Sequence, residues 1–207
     1  MRVKSDEKRQ AIIDAATEVF REVGYERASM SEISKRVGGS KATLYSYFPS
    51  KEDLFAAAMT SAVDGQADEL LATLDPASPD IKAILRRLGH GYLRVLMSPD
   101  VANIQRVAVA DGANSGIGVL LYVRGPQRGL NSLTDYMTKL IEAGVLRPCN
   151  PRMAAAQLKA LFEAGVQEPM LFGAATEFDI SEVVDAAVDT FLRAYLAHEN
   201  GRDEGNR

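Results

Sequence analysis

The chain has 207 residues, 46% of them hydrophobic and 25% charged, with a formal net charge of −4 and a single cysteine, Cys149. This composition excludes a disordered polymer and an intrachain disulfide framework, suits a reducing compartment, and allows a core without staples. The start, MRVKSDEKRQ, lacks the apolar stretch of a signal peptide, and apolar runs such as Phe55–Met59 are far shorter than a membrane span, so a cytoplasmic location is expected.

The first helix is predicted from Asp6 to Val23. Ile12, Ala16, Val19, Phe20 and Val23 recur at helical spacing, and Gly24 follows as a stop. Four cations precede or open this helix: Arg2, Lys4, Lys8 and Arg9. They suit either phosphates or a minor groove, although a solvated end is the plainer reading.

Two helix starts then come in quick succession. Ser29 stands three residues before Glu32, the spacing of a capping box, and Ile33 and Val37 share one side of the helix it opens. Gly38-Gly39 supplies a sharp turn, and Ser40 is placed to cap a second short helix, Lys41 to about Tyr47. Two short helices about a glycine-containing turn match a helix-turn-helix. On the second helix Leu44 and Phe48 form the buried side. Lys41, Ala42 and Tyr45 share another side, flanked by Thr43 and Tyr47. Lysine can donate to a guanine edge, a methyl can touch thymine, and hydroxyls can hold phosphates. Pro49 ends the helix; Ser50 caps the next, with Asp53 three residues on.

Residues 8–59 resemble the DNA-binding domain of the TetR/AcrR-type bacterial transcriptional regulators. The stretch IIDAATEVFREVGYERASMSEISKRVGGSKATLYSYFPSKEDLF carries the resemblance, most specifically in S-K-x-T-L-Y-x-Y-F-x-S-K. Gly39 departs from the family pattern where an apolar residue is common, and Ala42 where glycine is common. The resemblance implies a helix-turn-helix DNA-binding domain over 1–50, a connecting helix over 51–74 and a ligand-binding and dimerisation domain over 75–200. Lys41, Ala42 and Tyr45 are then the expected base contacts. Ser29, Ser31, Thr43, Tyr47 and Lys51 are expected at backbone or sugar, with Ser40 beside them. Residues 1–51 sum to +3 and the remainder to −7. This division fits a basic module joined to an acidic body.

Farther along, Leu74 to Pro79 is a break, with Ser78 read as the cap of a helix bearing Ile84, Leu85, Leu88, Tyr92 and Leu96. Ser98-Pro99 repeats that signal for a helix to about Asp111. A helix follows from Val119 to Ala143, interrupted by Gly125-Pro126. LLYVRGPQRGLNSLTDYMTKLIEAGVLRP resembles the C-terminal domain of the AefR-like subgroup, in its aromatic–x–x–Gly-Pro element and Gly-x-Leu. Two helices, roughly Pro151–Gly165 and Ser181–His198, close an all-α chain of about nine helices.

Periodicity alone leaves those last helices equally free to fold onto their own domain or to pair with a twin. The resemblance implies a homodimer through Ala160, Val184, Val188, Phe191 and Tyr195. It also implies an apolar small-molecule effector in the larger domain. Tyr92, Met97, Ile104, Val107, Tyr122, Phe162, Met170 and Phe172 are the candidate lining, and His90, Arg106, Asp111, Glu163 and Gln167 the candidate polar groups. No cofactor or metal is expected: His90 and His198 lack ligands at metal spacing, Ser40 spoils a phosphate-loop pattern before Lys41, and no G-x-S-x-G occurs. The expectation is a homodimeric repressor released from a palindromic operator by a small molecule. The alternatives are a ligand-binding protein of this fold without DNA control and, more remotely, a helical enzyme.

Overall fold

Side-chain oxygens start most of the helices. Ser5, Ser29, Ser40, Asp80, Asn150 and Asp179 each accept a hydrogen bond from a backbone N–H in the first turn that follows. In the computed structural model, which describes residues 5–111 and 114–197 (at Ala62 the backbone alone), these caps open a chain of helices. They are α1 (Asp6–Arg27), α2 (Met30–Arg36), α3 (Lys41–Tyr47), α4 (Lys51–Leu71), α5 (Ile81–Leu96), α6 (Pro99–Asp111) and α7 (Ile117–Tyr122). After a π turn (Val123–Gln127) come α8 (Arg128–Glu142), α9 (Pro151–Glu163), α10 (Gln167–Phe172) and α11 (Ile180–Tyr195). Among the described residues no strand forms; Leu146 and Leu196 make one isolated antiparallel bridge.

The chain divides into two compact units. The first runs to Gln66 and takes in Ser98–Gln127. Its core is Ile12, Ala16, Val19 and Phe20 of α1, Ile33 of α2, Leu44 of α3, with Phe48 and Leu54. Ala56 of α4 meets Ile117 and Leu121 of α7, and Tyr25, Phe55, Ile104 and Val107 pack around them. Tyr25 and Phe55 thus belong to both clusters, and their rings lie 4.8 Å apart. The second unit is Ala67–Met97 with the chain from Arg128 onward. There α9 packs on α5, α8 and α11, and α11 also packs on α5. Its buried side chains include Leu85, Leu93, Met137, Leu140, Leu158, Phe162, Val184, Val188 and Phe191. Burying each phenylalanine contributes roughly 1.5–3 kcal/mol. Gly89 permits the close approach, since a Cβ there would lie 2.7 Å from the Phe162 ring and 2.9 Å from Val184.

The architecture differs from the sequence reading in several places. α5 begins at Ile81 under Asp80, not under Ser78, because the Asp80 carboxylate takes the Ala83 N–H at 2.9 Å. The expected Val119–Ala143 helix starts at Ile117 and is cut in two, Pro126 sitting in a π turn that accommodates its missing N–H. α10 was not expected, since six residues are too few to show a period. α11 runs from Ile180 to Tyr195, and the expected end at His198 lies outside the described residues. The stretch 75–200 was expected as one domain; by contact, α6, α7 and the π turn group with the first three helices and most of α4. Ion pairing adds to that association, Arg124 of the turn lying 3.7 Å from Asp53 near the start of α4.

Candidate nucleic-acid interface

The turn of the helix-turn-helix is built from backbone hydrogen bonds that a left-handed residue at Gly38 permits. Gly38 adopts a left-handed φ of 69°, so its N–H reaches Lys35 O (3.1 Å) while the Gly39 N–H reaches Ser34 O (3.0 Å). These two bonds form a Schellman motif, which ends α2 and turns the chain sharply. Ser40 then restarts the helix, its Oγ accepting from the Thr43 N–H at 3.1 Å and lying 3.0 Å from Thr43 Oγ1. Arg36 grips Glu22 with two bonds of 2.8 Å, holding α2 against α1. That bond keeps the Glu22 carboxyl below its ordinary value.

Leu44 and Phe48 anchor α3 in the core, at 2% and 1% exposure. The opposite side is open: Lys41 and Ala42 are exposed, and Tyr45 is 48% exposed. A lysine, a methyl and a phenol therefore project together from a short helix whose other side is fastened. Ser29 is exposed at the cap of α2, where its Oγ takes the Glu32 N–H; Ser31 is half-buried.

Two of the backbone-contact residues have partners of their own. The Lys51 ammonium donates to the carbonyls of Tyr25 (2.9 Å) and Ala28 (3.2 Å) and sits 4.1 Å over the Tyr25 ring. It thereby caps the carbonyl-rich end of α1. Tyr25 donates its hydroxyl to Glu52 at 2.6 Å, which holds the Glu52 carboxyl low, while burial and then that carboxylate push the Tyr25 phenol up. The Tyr47 hydroxyl accepts the Ser5 N–H at 3.1 Å. These contacts span 23 to 42 residues and carry no local sequence signal.

The candidate pocket residues do not gather in one unit. Ile104, Val107 and Tyr122 lie in the first; Tyr92, Met97, Phe162, Met170 and Phe172 lie in the second. Tyr122, Met97 and Phe172 are exposed, Phe172 at 83%. Tyr92 and Phe162 do come together, ring centroids 6.4 Å apart. There the Tyr92 hydroxyl donates to Glu163, which also pairs with Lys159 at 2.5 Å. Burial, reinforced by Glu163, pushes the Tyr92 phenol well up. Asp111 binds Ser115 Oγ (2.7 Å) and the Gly118 N–H (3.1 Å), which ties α6 to α7.

Val184, Val188 and Phe191 are wholly buried and Tyr195 nearly so, all within the chain's own second unit. Ala160, by contrast, is exposed. The faces left open on the last long helices are Met153, Gln157, Ala160 and Ala164 around α9, and Ala186, Thr190 and Ala194 on α11.

Residues 12–58 match the model of the bacterial regulatory proteins of the tetR family. Residues 83–197, more than half the chain, match the AefR-like transcriptional repressor C-terminal domain. The chain belongs to the TetR family. A nicotine-responsive transcriptional repressor of Paenarthrobacter nicotinovorans, HdnoR, is 32% identical over 153 residues, covering 71% of this chain and 74% of that protein. A putative TetR-family regulator from Mesorhizobium loti superposes with a TM-score of 0.74 at 26% identity, over 94% of this chain and 100% of its own. The flavonoid-responsive regulator FrrA follows at 0.71 and 27%, over 96% and 100%. This TetR-family chain is thus a DNA-binding transcriptional regulator, and α2 and α3 are its helix-turn-helix. Among its described residues no helix is long and apolar enough to cross a membrane.

Proposed function

We propose that the protein is a homodimeric repressor that leaves a palindromic operator when an apolar small molecule binds its larger helical region. The observation that carries this reading is the open side of α3, with Lys41, Ala42 and Tyr45 exposed while Leu44 and Phe48 are buried. One such helix fits a major groove, and two related by a dyad read half-sites about 34–36 Å apart. The open stripes of α9 and α11, small residues at helical spacing, are the faces we assign to the second copy. Two similar proteins are named for their response to nicotine and to flavonoids, ring-bearing compounds that support an apolar effector. The repressor releases DNA if that effector binds better to a conformation whose recognition helices miss the half-site spacing; by linkage, DNA then weakens effector binding equally.

The test is selection of genomic fragments from the source organism by the intact protein. Enriched fragments should share an inverted repeat with half-sites one helical turn apart. Absence of enrichment would leave a ligand-binding helical protein without DNA control.

A further inference from the structure

The first turn of α4 carries three consecutive charged residues, and two of them, Lys51 and Glu52, hold the end of α1. The third, Asp53, joins two other parts of the first unit. Its Oδ2 accepts from Ser50 Oγ at 2.9 Å, and its N–H donates to the same oxygen at 3.0 Å. That capping box closes the start of α4 directly after α3 and Pro49. Its Oδ1 lies 3.7 Å from a guanidinium nitrogen of Arg124, in the π turn that follows α7. Arg124 is seated by α7, whose Ile117 and Leu121 are buried in one cluster with Ala56 of α4. Leu121 precedes Arg124 by three residues and Ala56 follows Asp53 by three. The ion pair therefore lies one turn beyond the apolar contact on both segments. Its side chains are 29% and 27% exposed, so solvent screens the pair only in part.

We propose that Arg124 is a positioning residue for DNA recognition. Through Asp53 and Ser50 it fixes the corner between α3 and α4, and with it the angle at which Lys41, Ala42 and Tyr45 meet a major groove. It acts without touching DNA. The proposal rests on the reading of α3 as the recognition helix and adds to it a residue far outside the helix-turn-helix. The path from the ion pair to α3 is short. Ser50 follows Phe48 by two residues, and Phe48 ends α3, its N–H on the Leu44 carbonyl at 3.0 Å. Loss of the Arg124 charge leaves the Ser50–Asp53 box closed but no longer fastened to the π turn. The corner then samples orientations that phosphate contacts tolerate and base contacts do not, because base edges demand a fixed register.

The experiment measures binding of the full chain to two duplexes across a salt series. One duplex is selected by the intact protein from a randomised pool, and the other is an unrelated sequence. Arg124→Met should weaken binding to the selected duplex about fivefold, the scale of one partly exposed ion pair, and leave the unrelated duplex unchanged. The plot of log affinity against log salt should keep its slope, since no phosphate contact is lost. Arg124→Lys should restore most of the affinity. Asp53→Asn keeps an acceptor for Ser50 and should reproduce the Arg124→Met loss, and R124M/D53N should lose no more than either change alone. Unchanged affinity in Arg124→Met overturns the proposal, as do additive losses in the double variant or a loss that lysine does not restore. Equal losses on both duplexes with a slope shallower by about 1 also overturn it, because Arg124 would then hold a phosphate itself. Failure of the unsubstituted protein to select any duplex, or of Lys41→Ala to weaken binding to the selected one, counts against the reading of α3 instead. The two failures are thus distinguishable.

Discussion

Lys41 and Lys51 stand ten residues apart and look alike in the sequence as candidate DNA contacts, yet their surroundings separate them. Lys41 is exposed at the first position of α3. Lys51 spends its ammonium on two carbonyls and an aromatic ring. Lys41→Ala should therefore reduce affinity for the selected duplex by roughly 1–3 kcal/mol with no change in unfolding midpoint, as read by gel shift and urea titration. Lys51→Met should lower folding stability by roughly 1.5–3 kcal/mol, the range for hydrogen bonds to a charged donor. If instead its stability is unchanged and its salt slope falls by about one, Lys51 serves a phosphate and not the end of α1. Glu52 adds a pH dependence to the same corner. Its carboxyl is held low in the folded state, chiefly by the Tyr25 hydroxyl. Its contribution is thus present above the ordinary carboxylate range and lost as pH falls through the lowered value. Glu52→Gln should flatten the acid limb of a stability-versus-pH curve.

At the level of elements, the turn between α2 and α3 shows how two adjacent glycines differ. Gly38 holds a left-handed φ that other residues adopt only with strain, whereas Gly39 does not, and a Cβ on Gly39 meets nothing within 4 Å. Gly39 also borders a crevice lined by Ile12, Val37, Thr43 and Leu44, at the position where the family commonly has an apolar residue. Gly39→Ala should stabilise by roughly 0.4–1 kcal/mol, mainly by restricting the unfolded chain. Gly38→Ala should destabilise by roughly 1 kcal/mol or more, the cost of the left-handed region for a residue with a Cβ. Thermal midpoints of the two variants should move in opposite directions. Helix starts at Ser29, Ser40, Ser50 and Ser98 were legible because a cap is a contact between residues two or three apart. The start of α5 was misread, since Ser78-Pro79 and Asp80 both satisfy the local rule and only the observed bond to Ala83 decides between them.

For the whole molecule, the helices of the second unit set the expectation for assembly. Phe191 has no exposed surface, so Phe191→Asp would place a carboxylate in the core and unfold that unit rather than dissociate a dimer. Ala160→Glu, on the open side of α9, should leave helicity intact and shift the sedimentation coefficient from dimer to monomer. A dimer that survives Ala160→Glu places the interface elsewhere. Alkali provides a second global measurement. Burial, the leading cause in each case, raises the Tyr25, Tyr92 and Tyr136 phenols, Tyr136 to about 12. An unfolded chain loses those protons from about pH 10, while the folded one retains them, so stability falls as pH rises above that point. The urea midpoint should decline above pH 10, and less steeply in a variant with all three changed to phenylalanine.

The sequence by itself determined the all-helical class, the helix-turn-helix and the polarity of α3, because periodicity, caps and glycine turns act within a few residues of one another. Only the tertiary structure decided that α6 and α7 group with the first three helices, that the apolar stripe of α11 is consumed by its own unit, and that Tyr47 and Lys51 bind the two ends of α1. Those outcomes depend on which apolar face meets which, and on donors reaching acceptors 23 to 42 residues away. A helical stripe states that a face will be buried; it does not name the surface that covers it.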